Sequence, residues 1–100
     1  MTRPRFTEEA AADYVAAVRW YESEREHAGN SFRLCIEAAL DHIEHRPSAF
    51  PVAWRDFQRI VVRHFPFVVF YRMESGEVVV HAVFHTSQNP SSLRGRLRNV

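Results

Sequence analysis

Lysine is absent from this 100-residue chain, so all thirteen fixed positive side chains are arginine. A guanidinium is planar and permanently charged, and it prefers bidentate partners such as carboxylates, phosphates or base edges. That chemistry suits an acidic protein surface and a nucleic acid equally. Cysteine is nearly absent as well. Cys35 stands alone, which excludes an internal disulfide and a cysteine-built metal site, and its apolar helical position places it in the core. Long hydrophobic runs are missing: Phe65 to Tyr71 and Val78 to Val80 fall far short of the ~20 residues that cross a bilayer. No apolar segment follows the first methionine, so no secretory signal is read and the expected location is the cytoplasm.

The composition that remains, 46% hydrophobic and 25% charged, is that of a globular protein, and the length suits one domain over residues 1–100. Its formal net charge of +1 conceals an asymmetry. Residues 1–46 hold six arginines against nine acids, and residues 47–100 hold seven against three. The second half is the basic one.

Arg3 to Phe6 can form a leading strand, and Thr7 followed by Glu8 and Glu9 starts a helix with a hydroxyl cap and favourable carboxylates. Ala11, Tyr14, Val15, Val18 and Tyr21 form its apolar stripe, Glu22 to Glu26 a solvated end, and Gly29 its stop. Asn30 or Ser31 can cap a second helix with the stripe Phe32, Ile36, Ala39, Leu40 and Ile43. His42 and His45 sit near its negative pole, before Pro47. The short connection predicts an antiparallel helical hairpin. Pro47 to Trp54 reads as an ordered connector. Strands follow over Phe57–Phe65, Phe67–Met73 and Glu77–His85, the last two joined through a turn at Ser75-Gly76. Large apolar residues on both faces of these strands require cover on both sides. The last ten residues read as a weakly patterned polar tail. The fold class is α+β, a helical hairpin on a twisted antiparallel sheet.

Phe6, Glu9-Ala10, Trp20-Tyr21, Phe32, Pro47, Phe50-Pro51, Arg63, Phe65-Pro66-Phe67, Tyr71, His85 and Pro90 occur in an order that resembles the RelE/ParE superfamily of type II toxins. The likeness spans nearly the whole chain and is closest to the ParE-like branch, through the tyrosine after Trp20 and the Phe-Pro-aromatic step. It implies a toxin that arrests growth by binding a cellular target, DNA gyrase, is neutralised by a cognate antitoxin, and serves plasmid stabilisation. It is compatible with a homodimer or a larger toxin–antitoxin assembly, and with no cofactor. Where the superfamily carries basic residues after the histidine, this chain has Thr86-Ser87-Gln88-Asn89, and its middle strands carry Val61 and Val68. A ribosome-dependent mRNA endonuclease is therefore the second reading, with Arg63, Tyr71 and His85 as its candidate catalytic groups. A non-toxic member retaining only antitoxin binding is the third.

For partner or target contacts the candidates are Arg59, Arg63, Arg72, Arg94 and Arg96. Arg59 and Arg63 alternate with Val61 on one strand face, and Arg94, Arg96 and Arg98 crowd the tail, where their charges are expected in solvent. His81 and His85 share an alternating register, yet no acid accompanies them at ligand spacing, so no metal site is assigned. Most aromatics, Trp20 among them, read as packing, and Trp54 as an exposed contact.

Overall fold

The computed structural model describes residues 3–98. Its elements are β1 (Arg5–Phe6), α1 (Glu8–Glu24), α2 (Ala28–His45), β2 (Val52–Trp54), β3 (Phe57–Val61), β4 (Phe67–Glu74), β5 (Glu77–His85) and α3 (Pro90–Arg98). The strands form one sheet in the order β1-β5-β4-β3-β2. Every pairing is antiparallel except β1 with β5, so the sheet is mixed rather than wholly antiparallel. No helix among the described residues is long and apolar enough to cross a membrane.

The chain has only three glycines, and most left-handed backbone positions among the described residues fall on side-chain-bearing residues. His27, Arg55, His64 and Ser75 all have positive φ, and Gly76 joins them. Ser75 and Gly76, both left-handed, make the two-residue β4–β5 turn, whose twist matches that of the flanking strands. Gly29, expected to stop α1, is instead buried inside α2. A Cβ there would lie 2.8 Å from both the Val18 carbonyl oxygen and Glu22 Oε1. The residue is small because two helices cross closely, and the left-handed turn belongs to His27. Nor does Asn30 or Ser31 cap α2. Glu22 reaches over from α1 and accepts from the backbone N–H groups of His27 and Gly29, at 3.1 and 2.9 Å. A carboxylate at a helix N-terminus satisfies orphan donors and complements the dipole.

Thr7 caps α1 as expected, its hydroxyl accepting from Ala10 N–H at 3.1 Å. The buried stripe of α1 runs through Ala10, Tyr14, Ala17, Val18 and Tyr21, turned slightly from the expected one, and Val15 is 47% exposed. On α2 the stripe Phe32, Ile36, Ala39, Leu40 and Ile43 is buried throughout. Together the hairpin covers Ile60, Val62, Phe67, Val69, Tyr71, Val80 and Val83 on one face of the sheet. Phe32 sits at the centre of this core, its ring 5.2 Å from Tyr21 and Phe65 and 4.9 Å from Phe67.

Two expectations about the second half change. Strand β3 ends at Val61 rather than Phe65, because His64 turns left-handed and Val62 closes the ladder through Phe67. The final segment is not a loose tail but helix α3, whose Leu93 and Leu97 pack on Phe57, Val68, Phe70, Ala82 and Phe84 on the opposite face of the sheet.

Candidate partner-binding surface

Both sheet faces are apolar, but α3 is nine residues long and brings two leucines, so polar contacts must fix it. They converge on an irregularity in β5. Tyr71 pairs with Val80 and Phe70 with Ala82, leaving His81 as the extra residue of a β-bulge. A bulge disrupts ladder bonds locally. Here Asp13 of α1 accepts from Val83 N–H at 3.0 Å, and Arg96 of α3 donates to the His81 carbonyl at 3.3 Å. The two side chains also grip one another bidentately, at 2.9 and 3.0 Å. The Arg96 guanidinium lies 5.1 Å from the Phe84 ring centroid, and its hydrogen bond to Asp13 pushes its pKa above the ordinary arginine value. One ion pair thus spans α1, the bulge and α3. Asp13 received no role in the sequence reading. Its position, three residues after Ala10 and four before Ala17 on the buried stripe, is the signal that marks it.

A second polar knot lies further along the same face. Arg72 donates to Glu74 at 2.8 Å and to Asp56 at 3.3 Å, and stacks 4.6 Å above the Phe57 ring. His81, almost fully buried, meets the same Glu74 oxygen through Nε2 at 2.5 Å. Hydrogen bonds from Arg72 and then from His81 hold the Glu74 carboxyl below its ordinary pKa of 4.5, against the opposing effect of desolvation.

Between α3 and β3 the face opens into a cleft of about 290 Å³ whose lining includes Arg59, Phe70, Phe84, His85, Gln88 and Leu93. Arg59, Arg63 and Arg94 are exposed, and none of them makes an ion pair with a described residue. The five candidate arginines therefore divide. Arg72 and Arg96 are turned inward and engaged, whereas Arg59, Arg63 and Arg94 face outward. Arg63 lies in the β3–β4 turn, off the strand that was expected to carry it.

The three candidate nuclease groups do not assemble. Tyr71 is buried on the helix-covered face, its hydroxyl donating to the Pro47 carbonyl at 2.7 Å, and burial pushes its pKa up to about 12. Arg63 is exposed in a turn. His85 Nδ1 accepts from Ser87 N–H at 3.0 Å, which leaves the neutral ring's proton on Nε2. Its ring packs edge-on against Phe67 at 5.1 Å. Phe67 belongs to the helix-side core, whereas the His81 ring lies 5.1 Å from Phe57 on the α3 side. The bulge breaks the simple alternation, so the two rings pack against phenylalanines of opposite cores, although His85 also borders the cleft. Among the described residues no group of three or more His, Cys, Asp or Glu side chains could hold a metal ion.

Two aromatic expectations are adjusted as well. Trp20, read as core, is 58% exposed, its edge met by Tyr21. Trp54, read as an exposed contact, is half-buried against the α3-side core beneath Arg55, at 4.4 Å.

A family model described as "ParE toxin of type II toxin-antitoxin system, parDE" matches residues 5–90. No curated protein sequence matches the chain. Among solved structures, a chain described as "Chromosomal ParDE TA system from P. aeruginosa" superposes with a TM-score of 0.61 at 14% identity. The alignment covers 85% of this chain and 96% of that one. At that identity the similarity establishes the shared fold.

Proposed function

Because this chain belongs to the ParE toxin family of type II toxin–antitoxin systems, we propose that it arrests growth in the cytoplasm by gripping an acidic or nucleic-acid-bearing target. DNA gyrase is the target this reading assigns, and the contact surface is the α3 side of the sheet. A cognate antitoxin silences the toxin by covering the same surface. The observation that carries the reading is the outward set Arg59, Arg63 and Arg94, of which Arg59 lines an apolar cleft. These guanidiniums have no ion-pair partner among the described residues, so they are available to a partner's carboxylates or phosphates.

The mechanism is recognition rather than bond cleavage. An mRNA endonuclease needs a group to activate the 2′-hydroxyl and another to protonate the leaving oxygen. Tyr71, one of the three candidates, already spends its hydroxyl on a backbone carbonyl beneath the helical hairpin. Arg72 and Arg96 support the surface by holding β4, β5 and α3 in place, and the exposed arginines make the contacts.

Purified chain added to a gyrase supercoiling assay tests this directly. Inhibition that disappears on adding the antitoxin is the expected result. Unimpaired supercoiling together with cleavage of ribosome-bound mRNA would overturn it.

A further inference from the structure

Helix α1 buries one face against α2 and the sheet and leaves the other without a neighbour. Glu8, Ala12, Val15 and Arg19 follow one another at steps of four, three and four, which aligns them along the outward side, and Ala16 and Trp20 flank them. All six are exposed. The tryptophan sets this face apart, because a large ring with one polar edge is characteristic of contact surfaces rather than of solvated helices. Ala12 and Ala16 fall in the middle of the face, where their small side chains let a second helix approach closely.

The charges on this face are ordered. Glu8 and Glu9 stand at its start and Arg19 near its end, and none of the three makes an ion pair with a described residue. Arg33 of α2 borders the same groove as Arg19, beside Tyr14 and Val15, and strengthens the positive end. A nucleic acid or a uniformly acidic segment lying along the helix would be attracted at one end and repelled at the other. A partner with the reverse order is matched throughout, and a second copy turned end for end has that order. A two-fold contact is self-complementary, so each pairing forms twice. With the axis beside Tyr14, midway between Glu9 and Arg19, Glu9 of each copy comes level with Arg19 of the other, Ala12 with Ala16, and Glu8 with Trp20. A parallel pair would instead set acid against acid and arginine against arginine.

We propose that the chain forms a weak homodimer by antiparallel packing of α1 on α1. The helix has 17 residues, a length of about 25 Å. A contact of one helix on one helix lies at the small end of protein interfaces, so dissociation falls in the micromolar range. Helix α1 covers the sheet face opposite Arg59 and the cleft, and the dimer therefore leaves that surface open on both copies. Two such surfaces on one particle raise avidity for a target with two matching sites. That consequence rests on the toxin reading above, whereas the pairing of α1 does not.

Sedimentation equilibrium of the purified chain, with concentration raised through the micromolar range, tests the dimer. The mass is expected to climb from 11.7 kDa toward twice that value. Arg19→Glu gives the face acids at both ends, and the double change Glu8→Arg, Glu9→Arg gives it arginines at both ends. Each is expected to weaken self-association by at least about tenfold. Mixing the two variants is expected to restore association as a heterodimer, since every acidic end then meets a basic one. The altered side chains are exposed and unpaired in the single chain, and circular dichroism should show both variants folded. A natural chain that stays at 11.7 kDa throughout overturns the dimer. Association that is unchanged in both variants, or variants that fail to restore each other, overturns the α1 contact. Either failure leaves the gyrase assay, and the reading it tests, untouched.

Discussion

The two faces of the sheet are covered by different means. On one, α1 and α2 bring 35 residues and a continuous apolar core centred on Phe32. On the other, α3 brings nine residues, two leucines and Arg96, which clamps onto Asp13 of α1. Apolar area is non-directional and tolerant, whereas a clamp depends on single groups. The hairpin side is therefore read as the stable scaffold. The α3 side is the region whose order rests on a few polar contacts, and it also presents Arg59 and Arg94, which have no ion-pair partner among the described residues.

The largest expected effect comes from breaking the scaffold. Phe32→Ala removes a fully buried ring contacted by four aromatic neighbours, and should cost about 3–5 kcal/mol in chemical denaturation. Leu97→Ala, beneath α3, should cost less, about 2–3 kcal/mol. Equal losses would break the distinction between the faces.

Asp13→Ala follows in size. It strips Val83 N–H and Arg96 of their partner at one stroke, and about 2–3 kcal/mol is expected. The sharper readout is local: amides of β5 beyond the bulge and of α3 should exchange faster, while those of α2 keep their protection. Uniform loss across both faces would show that α3 is integral to the main core.

The faces should also differ in pH response. Glu74 has a folded pKa below its ordinary 4.5, so its contribution is present above 4.5 and is lost as pH falls through the folded value. Tyr71 has a folded pKa raised from 10.0 to about 12, so its contribution is present below 10.0 and is lost as pH rises through about 12. Acid should loosen the α3 side first and alkali the hairpin side. Thermal melts of Glu74→Gln and Tyr71→Phe against pH check this, each variant flattening one limb of the profile.

The smallest effect concerns the scarcity of glycine. His64 is left-handed in the β3–β4 turn, and a side chain there carries a cost that glycine avoids. His64→Gly should gain up to about 1 kcal/mol, set against the greater entropy of an unfolded glycine. No gain, or a loss, would show that the His64 side chain contributes contacts of its own.

Periodicity made much of the scaffold legible. The α2 stripe and the β4–β5 hairpin could be read from spacing, because alternating or helical burial repeats over many residues. Three features could not be. The β5 bulge at His81 is one residue inserted into an otherwise ordinary alternation, and it set the His81 and His85 rings against opposite cores. Helix α3 has two leucines four apart among arginines, serines and glycine, too little pattern to separate it from a polar tail. Glu22 looked like part of a solvated helix end because capping by a carboxylate from the preceding helix depends on how two helices cross. For the candidate surface, composition identified the basic half and named the arginines. Only geometry separated Arg72 and Arg96, turned inward to Glu74 and Asp13, from Arg59, Arg63 and Arg94.

That separation is the central claim, and one paired measurement addresses it: the thermal midpoint and the growth arrest of two variants. The triple change Arg59→Ala, Arg63→Ala, Arg94→Ala is expected to melt within a few degrees of the natural chain, since each exposed charge contributes about 0–1 kcal/mol to the fold, while growth arrest is relieved. Arg96→Ala is expected to melt clearly lower. A triple variant that stays folded and fully toxic, or an Arg96→Ala variant that melts like the natural chain, would contradict the division between holding and contacting arginines.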